Sequence, residues 1–287
     1  MLQRLIVVCG PTASGKTLRA IEIAKANNGE IICADSMQIY KDMPICTASP
    51  TALEMQGVPH HLFNFVDISE TFTVKKYASL AHEKIEEIIC RGRLPILVGG
   101  TGLYIDTVAR NRSLQNIDVP KQVSLDLESK TNEELLEELK RIDKASADII
   151  PLQNRRRLIR ALEIYYATGR SKTEIDEDSE KNPKYNTIYV GTYFEKEQLV
   201  RRIEKRVNTM LENGLIDEIK KVYSSGNISH TARQSIGCKE LFPYFAGEIN
   251  LETAALNIIK ATKNYAKRQM TWFGRNKEII WLNQSGK

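Results

Sequence analysis

The residues best placed to do chemistry are Gly10-Pro11-Thr12-Ala13-Ser14-Gly15-Lys16-Thr17. They have the form G-x-x-x-x-G-K-[ST], which binds phosphate when it joins a strand to a helix. Gly10 and Gly15 allow backbone conformations closed to residues with a Cβ, so consecutive N–H groups can point into one concavity. A helix N-terminus adds partial positive charge, Lys16 adds a full one, and the Thr17 hydroxyl can ligate Mg²⁺. A glycine-rich turn that binds nothing is the alternative, and the flanks argue against it. Arg4-Leu5-Ile6-Val7-Val8-Cys9 is an apolar, β-branched run that predicts a buried strand, and Leu18, Ile21 and Ala24/Lys25 recur at helical spacing. This loop is expected to bind a di- or triphosphate.

Glu30 to Ala34 predicts a second strand, ending at Asp35-Ser36-Met37-Gln38. In parallel α/β sheets the carboxyl ends of strands line one crevice, so Asp35 is expected to face the phosphate loop. Leu94 to Val98 predicts a third strand, running into Gly99-Gly100-Thr101-Gly102-Leu103-Tyr104. A phosphate-loop ATPase usually carries a Mg²⁺-holding Asp at the end of such a strand. No acid stands here, and the double glycine predicts a close approach by ligand or backbone. Two chemistries fit Asp35 opposite a phosphate loop. In one, Asp35 deprotonates an acceptor of a nucleotide γ-phosphate, as in a small-molecule kinase. In the other, the loop holds a leaving pyrophosphate, the attached carbon is the electrophile, and Asp35 deprotonates the nucleophile. These residues alone do not separate the two, and a plain structural hydrogen bond is the bland role for Asp35.

The elements that must position these groups follow from pattern. Residues 41–70 read as loop-rich, with Pro44, Pro50 and Pro59. Thr73 is an N-cap for a helix through Tyr77, Leu80, Ile85 and Ile88/Ile89 that stops at Gly92. From about 112 to 150 the composition turns polar. There Thr131-x-x-Glu134 forms a capping box ahead of Leu135, Leu136, Leu139 and Ile142. This helical insert continues past Pro151 into a helix from Arg155 to Tyr166, ended by Gly169, and Ser171 to Lys184 reads as an exposed loop. Thr187 to Tyr193 is strand-like, Leu199, Ile203, Val207 and Met210/Leu211 mark an amphipathic helix, more helix runs to about 272, and Ile279 to Leu282 is the last strand. The expected fold is α/β: a P-loop NTPase-like parallel sheet core flanked by helices, with a helical insertion domain. The core spans 1–112 and 183–287, the insertion 113–182.

Bulk properties narrow the class. At 287 residues the chain can bury a sizeable core, and 42% hydrophobic with 27% charged residues is ordinary for a globular enzyme. No run approaches about 18 apolar residues, so no membrane association is expected. The N-terminus enters the first strand directly, so no signal peptide is expected. Five cysteines without C-x-x-C spacing argue for reduced thiols in a cytoplasm, and four histidines without a second cluster argue against a transition-metal site. The net charge of +5 is unevenly spread. Arg155-Arg156-Arg157 with Arg160 form one basic block, Arg201, Arg202, Lys205 and Arg206 another. Lys260 to Lys277 holds six Lys/Arg and no acid, with Tyr265, Trp272 and Phe273 interleaved. A single block reads as a solvated helix face, but three point to a polyanionic partner.

A set of ordered motifs is also recognisable. Gly10 to Thr17, Asp35-Ser36-Met37-Gln38-Ile39-Tyr40, Pro59-His60-His61-Leu62 and Gly99 to Tyr104 are followed by Arg157-x-x-Arg160-Ala161-Leu162-Glu163-Ile164-Tyr165, Ile236-Gly237-Cys238-Lys239-Glu240 and Ala266 to Phe273. Over nearly its whole length the chain resembles the tRNA dimethylallyltransferases, also called tRNA isopentenyltransferases. The resemblance implies transfer of a dimethylallyl group from dimethylallyl diphosphate to the N6 amine of adenosine 37, beside the anticodon in the tRNA stem-loop, with Mg²⁺. It favours a cytoplasmic monomer, with an adenylate isopentenyltransferase acting on free nucleotide as the nearest alternative. The target base must be turned out of its stack to reach such a site.

Carried onto this sequence, the resemblance makes Asp35 the base and Thr101 its companion at the reaction channel. Ser36, Met37 and Gln38 lie beside the flipped nucleotide, and Thr12, Ala13, Ser14, Gly15, Lys16 and Thr17 after Gly10 cradle the diphosphate. Gln153, Asn154, Arg155, Arg156 and Arg157 face tRNA. Arg160 helps neutralise the diphosphate or, equally well, pairs with Glu163 on its own helix. Three departures stand out: Cys46 where the family usually has glycine, Cys238 where an aromatic is common, and Val123 near an expected tRNA contact.

Overall fold

The computed structural model describes residues 2–111 and 117–285. They form two compact units, Met1–Ile105 with Tyr185–Lys287, and Asp106–Lys184. The expected start of the insertion, at 113, lies outside the described residues.

The first unit is built on a sheet. β1 (Gln3–Cys9) leads through the glycine loop into α1 (Lys16–Ala26), and β2 (Gly29–Cys33) follows. Two short helices, α2 (Pro44–Thr47) and α3 (Ala52–Met55), precede β3 (His60–His61), so the stretch expected as loop carries a two-residue strand. No apolar alternation marks that strand, because it is set by pairing with Ile31 and Ile32 of β2 and by the 2.6 Å contact of His61 Nε2 with the buried Glu30. α4 (Val74–Cys90) starts where Thr73 accepts a hydrogen bond from Lys76 N, and β4 (Leu94–Gly99) runs into α5 (Gly102–Ala109).

The second unit is helical: α6 (Lys121–Ser129), α7 (Asn132–Ile142), α8 (Lys144–Ile149), α9 (Arg155–Thr168) and α10 (Lys172–Lys181). Leu127, Leu135, Leu139, Ala147, Leu158, Ala161 and Leu162 form its core, and Val123 packs against them. Each fully buried leucine stabilises this core by roughly 1.5–3 kcal/mol. α10 corrects the expected exposed loop. Ser171 and Glu174 form a capping box, Ile175 and Ser179 bury one face, and Lys172 pairs with Asp176 one turn on. The polar composition hid a helix that needs only that narrow apolar stripe.

The chain then returns to the sheet through β5 (Tyr185–Tyr193), α11 (Lys196–Glu212), α12 (Leu215–Ser225), α13 (His230–Arg233), α14 (Cys238–Phe245), α15 (Leu251–Phe273) and β6 (Ile280–Asn283). Among the described residues the six strands form one parallel sheet, ordered β3-β2-β4-β1-β5-β6. Val8, Ile31, Ile96 and Val98 face Ala20, Ile21 and Ala24 of α1, the layered packing expected of buried parallel strands. Register fixes the site. Cys9 pairs with Gly99 on one side and Gly191 on the other, and Cys33 pairs with Val98. The segments that follow β1, β2 and β4, which begin at Gly10, Ala34 and Gly100, therefore all leave the sheet along one carboxyl edge, beside Thr192 near the end of β5.

Candidate active site

The phosphate loop is gripped from several sides. Gly10 has φ +144°, and a Cβ there would stand 2.3 Å from the Thr192 carbonyl, so only glycine lets the loop leave β1 against β5. Ser14 is fully buried and its Oγ lies 2.8 Å from Thr192 Oγ1. Ala13 packs with Leu199, Ile203 and Ala266 from α11 and α15. Arg202 Nε donates to the Ala13 carbonyl at 2.9 Å, and Arg206 lies 3.4 Å from Thr12 Oγ1. Gln269 Oε1 accepts from the Thr12 N–H at 2.8 Å. Thr12 and Ser14 thus contribute shape as much as contact, while Gly15 caps α1 in the left-handed conformation and Thr17 stands on its first turn.

Electrostatics concentrate here. Lys16 Nζ is 3.3 Å from the Pro11 carbonyl. Desolvation pushes its ammonium down to about 8, opposed by the Asp35 charge and assisted by Arg206. Desolvation also lowers Arg206, and Asp35 again opposes it. Two desolvated cations facing one carboxylate make a pocket that an added polyanion would relieve.

Asp35 Oδ1 accepts a hydrogen bond from Met37 N at 3.0 Å, so the structural role is real and occupies one carboxylate oxygen. Thr101 Oγ1 accepts from Ser36 N at 3.0 Å and lies 3.2 Å from Ser36 Oγ, joining the two turns beside Asp35. Gln38 points elsewhere. Its Nε2 donates to the carbonyls of Thr47 at 3.1 Å and Ala48 at 2.8 Å, closing the end of α2. Tyr77 and Tyr104 stack at 3.9 Å, and burial raises both phenols, which keeps them protonated donors. Tyr77 spends its hydroxyl on the Cys33 carbonyl at 2.8 Å.

The double glycine admits protein. A Cβ on Gly99 would lie 2.0 Å from the Ala34 carbonyl, and one on Gly100 2.1 Å from Gln269 Nε2. Trp272 packs as closely on Gly102. Phe273 is buried, and Tyr265 is half-buried with its phenol raised by burial. The aromatics of the acid-free basic segment thus belong to the packing of α15, with Lys267 and Arg268 left exposed.

The remaining candidates lie in the second unit. Gln153, Arg156 and Arg157 are exposed around the start of α9, with Asn154 at its N-cap. Arg155 is held by Asn132 Oδ1 at 2.9 Å and the Glu128 carbonyl at 2.7 Å. Arg160 pairs with Glu163 at 3.2 Å. The departures at 46 and 238 prove to be neighbours. Cys46 Sγ donates to the carbonyl of Ile236, two residues before Cys238, at 3.1 Å, and Cys238 Sγ lies 3.3 Å from Met43 Sδ.

Arg202 and Arg206 are site residues that the motifs do not contain, and Gln269 lies inside the Ala266 to Phe273 motif without a role that the sequence assigns it. A signal for them is nonetheless present: Leu199, Arg202, Ile203, Arg206 and Val207 share one helix face, as do Ala266, Gln269 and Phe273. A polar residue on an apolar stripe needs a buried partner. A groove of about 550 Å³ between α11 and α15 around Glu204, Leu256 and Lys260 shares no residue with this site.

Residues 38–277 match the family model described as IPP transferase. A tRNA dimethylallyltransferase from Acetivibrio thermocellus is 43% identical, over 99% of this chain and 92% of its own length. One from Halalkalibacterium halodurans is 42% identical over the same shares. The solved full-length tRNA isopentenylpyrophosphate transferase from Bacillus halodurans has a TM-score of 0.76 at 40% identity, covering 99% of this chain and 91% of that one. A eukaryotic dimethylallyltransferase described as acting on tRNA reaches 0.86 at 32% identity, covering 99% and 74%. The likeness runs from the phosphate loop to β6, and the chain belongs to the IPP transferase family.

Proposed function

We propose that this protein transfers a dimethylallyl group from dimethylallyl diphosphate to the N6 amine of adenosine 37 of tRNA, releasing diphosphate. The observation that carries this reading is that Asp35 leaves β2 at the same carboxyl edge where the phosphate loop leaves β1, with Arg206 against that loop and the Asp35 charge acting on Lys16 and Arg206. The diphosphate lies in the loop from Gly10 to Thr17, against the backbone N–H groups, Lys16 and Arg206. An allylic carbon tolerates positive charge, so stabilising the departing oxygens lowers the barrier most. The C1–O bond breaks with its electron pair leaving on pyrophosphate, and the N6–C1 bond forms. The N6 proton passes to Asp35, whose Oδ2 is not the oxygen held by Met37. An exocyclic adenine amine is a weak nucleophile, so this base is needed.

Mg²⁺ fits the donor set. The loop supplies the Thr17 hydroxyl, and an ion that keeps most of its waters needs little more than that and the substrate's own oxygens. When bound it neutralises diphosphate charge. Arg156 and Arg157 meet the RNA backbone. The testing experiment incubates protein, Mg²⁺ and labelled dimethylallyl diphosphate separately with unmodified tRNA and with AMP. Label in tRNA supports the reading. Label in AMP moves the protein to the free-nucleotide branch, and label in neither, with ATP consumed against a small hydroxylated acceptor, makes it a kinase.

A further inference from the structure

Gln269 is an uncharged side chain only 4% exposed, yet both ends of its amide are spoken for. Oε1 takes the Thr12 N–H at 2.8 Å, and Nε2 donates to the Gly100 carbonyl at 2.9 Å. Thr12 lies in the phosphate loop and Gly100 is next to Thr101, so one planar group spans the two halves of the site. Its surroundings hold it in place. Gly100 leaves no room for a Cβ, so the amide lies directly against the backbone of the turn that leads into Thr101. A leucine would fill the same volume without needing two buried partners, since a buried amide is tolerated only when both ends are satisfied.

We propose that Gln269 is a positioning residue that couples the diphosphate subsite to the acceptor subsite. This rests on the reading of the phosphate loop as the donor site and of Asp35 and Thr101 as the acceptor site. An amide bonded to both loops lets neither move without the other. Seating the diphosphate therefore sets the turn that carries Thr101, and seating RNA sets the phosphate loop. Linkage requires the effect to be equal in both directions.

The test uses the full chain, with inorganic pyrophosphate and an unmodified anticodon stem-loop RNA as probes. Each is titrated alone and with the other saturating. In the wild type each is expected to change the other's affinity about 5-fold or more. Gln269→Met keeps the volume and removes both hydrogen bonds. It should bring that factor to within about 2-fold of unity and lower kcat at least ~10-fold, a larger change than in either KM, the pattern of lost alignment. Should Gln269→Met not fold, Gln269→Leu, which fills the same volume, is the second variant and should give the same loss. Wild-type coupling of unity overturns the proposal. So does retained coupling in the variant, even with turnover lost, which would leave Gln269 a structural residue. Wild type that couples the probes but transfers no dimethylallyl group overturns the proposed function and leaves the role of Gln269 standing.

Discussion

Asp35 and Met37 are joined by a hydrogen bond from Met37 N to Asp35 Oδ1 at 3.0 Å, which ties the candidate base to its own backbone turn. One oxygen shapes the chain and the other is left to do chemistry, so two substitutions separate the roles. Asp35→Asn keeps an acceptor for Met37 and abolishes the base. It should lower kcat by roughly 10²–10⁴-fold with little change in tRNA affinity. Asp35→Ala loses the turn as well and should add a loss of RNA binding. Turnover of Asp35→Asn within a few-fold of wild type would remove Asp35 from proton transfer.

Lys16 predicts a pH dependence. Its ammonium is pushed down to about 8 in the folded protein from an ordinary value of 10.5. Between these values the unfolded chain holds the extra proton, so stability of the free protein should rise with pH across that window. Pyrophosphate prefers the charged lysine, so its affinity should fall as pH rises through about 8. Lys16→Arg stays protonated throughout and should lose this limb, leaving only the ligand's own ionisation. Parallel profiles for the two proteins would assign the limb to another group.

Arg206 should act on the donor. It reaches Thr12 from α11 and is desolvated beside Asp35 and Arg202. Arg206→Gln should lower kcat/KM for dimethylallyl diphosphate by roughly 10–100-fold, the scale of one charge-assisted hydrogen bond. Affinity for the RNA alone should hold. Loss confined to RNA binding would move Arg206 out of the diphosphate site.

The basic block at α9 divides. Arg155 is bound to Asn132 and the Glu128 carbonyl, whereas Arg156 and Arg157 are exposed. Arg156→Gln with Arg157→Gln should flatten the salt dependence of tRNA binding, by roughly 0.7–0.9 in slope for each phosphate that is no longer neutralised. Arg155→Gln should leave the slope alone and cost about 1–2 kcal/mol of stability in the helical unit. A changed slope in Arg155→Gln would mean that its hydrogen bonds give way to RNA.

The glycine loop, Asp35, Thr73 and the Thr131 capping box are legible in the sequence because each signal is local. A cap or a phosphate loop is written within a few residues, and strand periodicity places it. Arg206 and Gln269 are harder, since their partner Thr12 lies 194 and 257 residues away. In sequence, Arg202 and Arg206 are half of a charge block that looks solvated, and only the neighbouring Ile203 and Val207 betray the buried face. The Tyr265, Trp272 and Phe273 series resembles a stacking surface but serves α15 packing, because an aromatic's direction is set by the fold around it. β3 and α10 escape for opposite reasons. The first depends on pairing with β2, the second on a capping box in a stretch whose composition alone suggests a loop.

Cys46 ends up against Cys238 and Gly237, where a Cβ on Gly237 would lie 2.5 Å from Cys46 Sγ. Both thiols are buried, with 8% and 0% exposure, so the volume at one position constrains the other. Cys238→Phe alone should overpack this contact and destabilise by about 1–3 kcal/mol. Cys46→Gly alone should open a void and add backbone freedom, also destabilising. Together they exchange volume across the contact, so the double variant should be less destabilised than the sum of the singles by about 0.5–3 kcal/mol. Urea unfolding of the four proteins gives the coupling directly. Additivity within about 0.5 kcal/mol would show that the two positions departed independently.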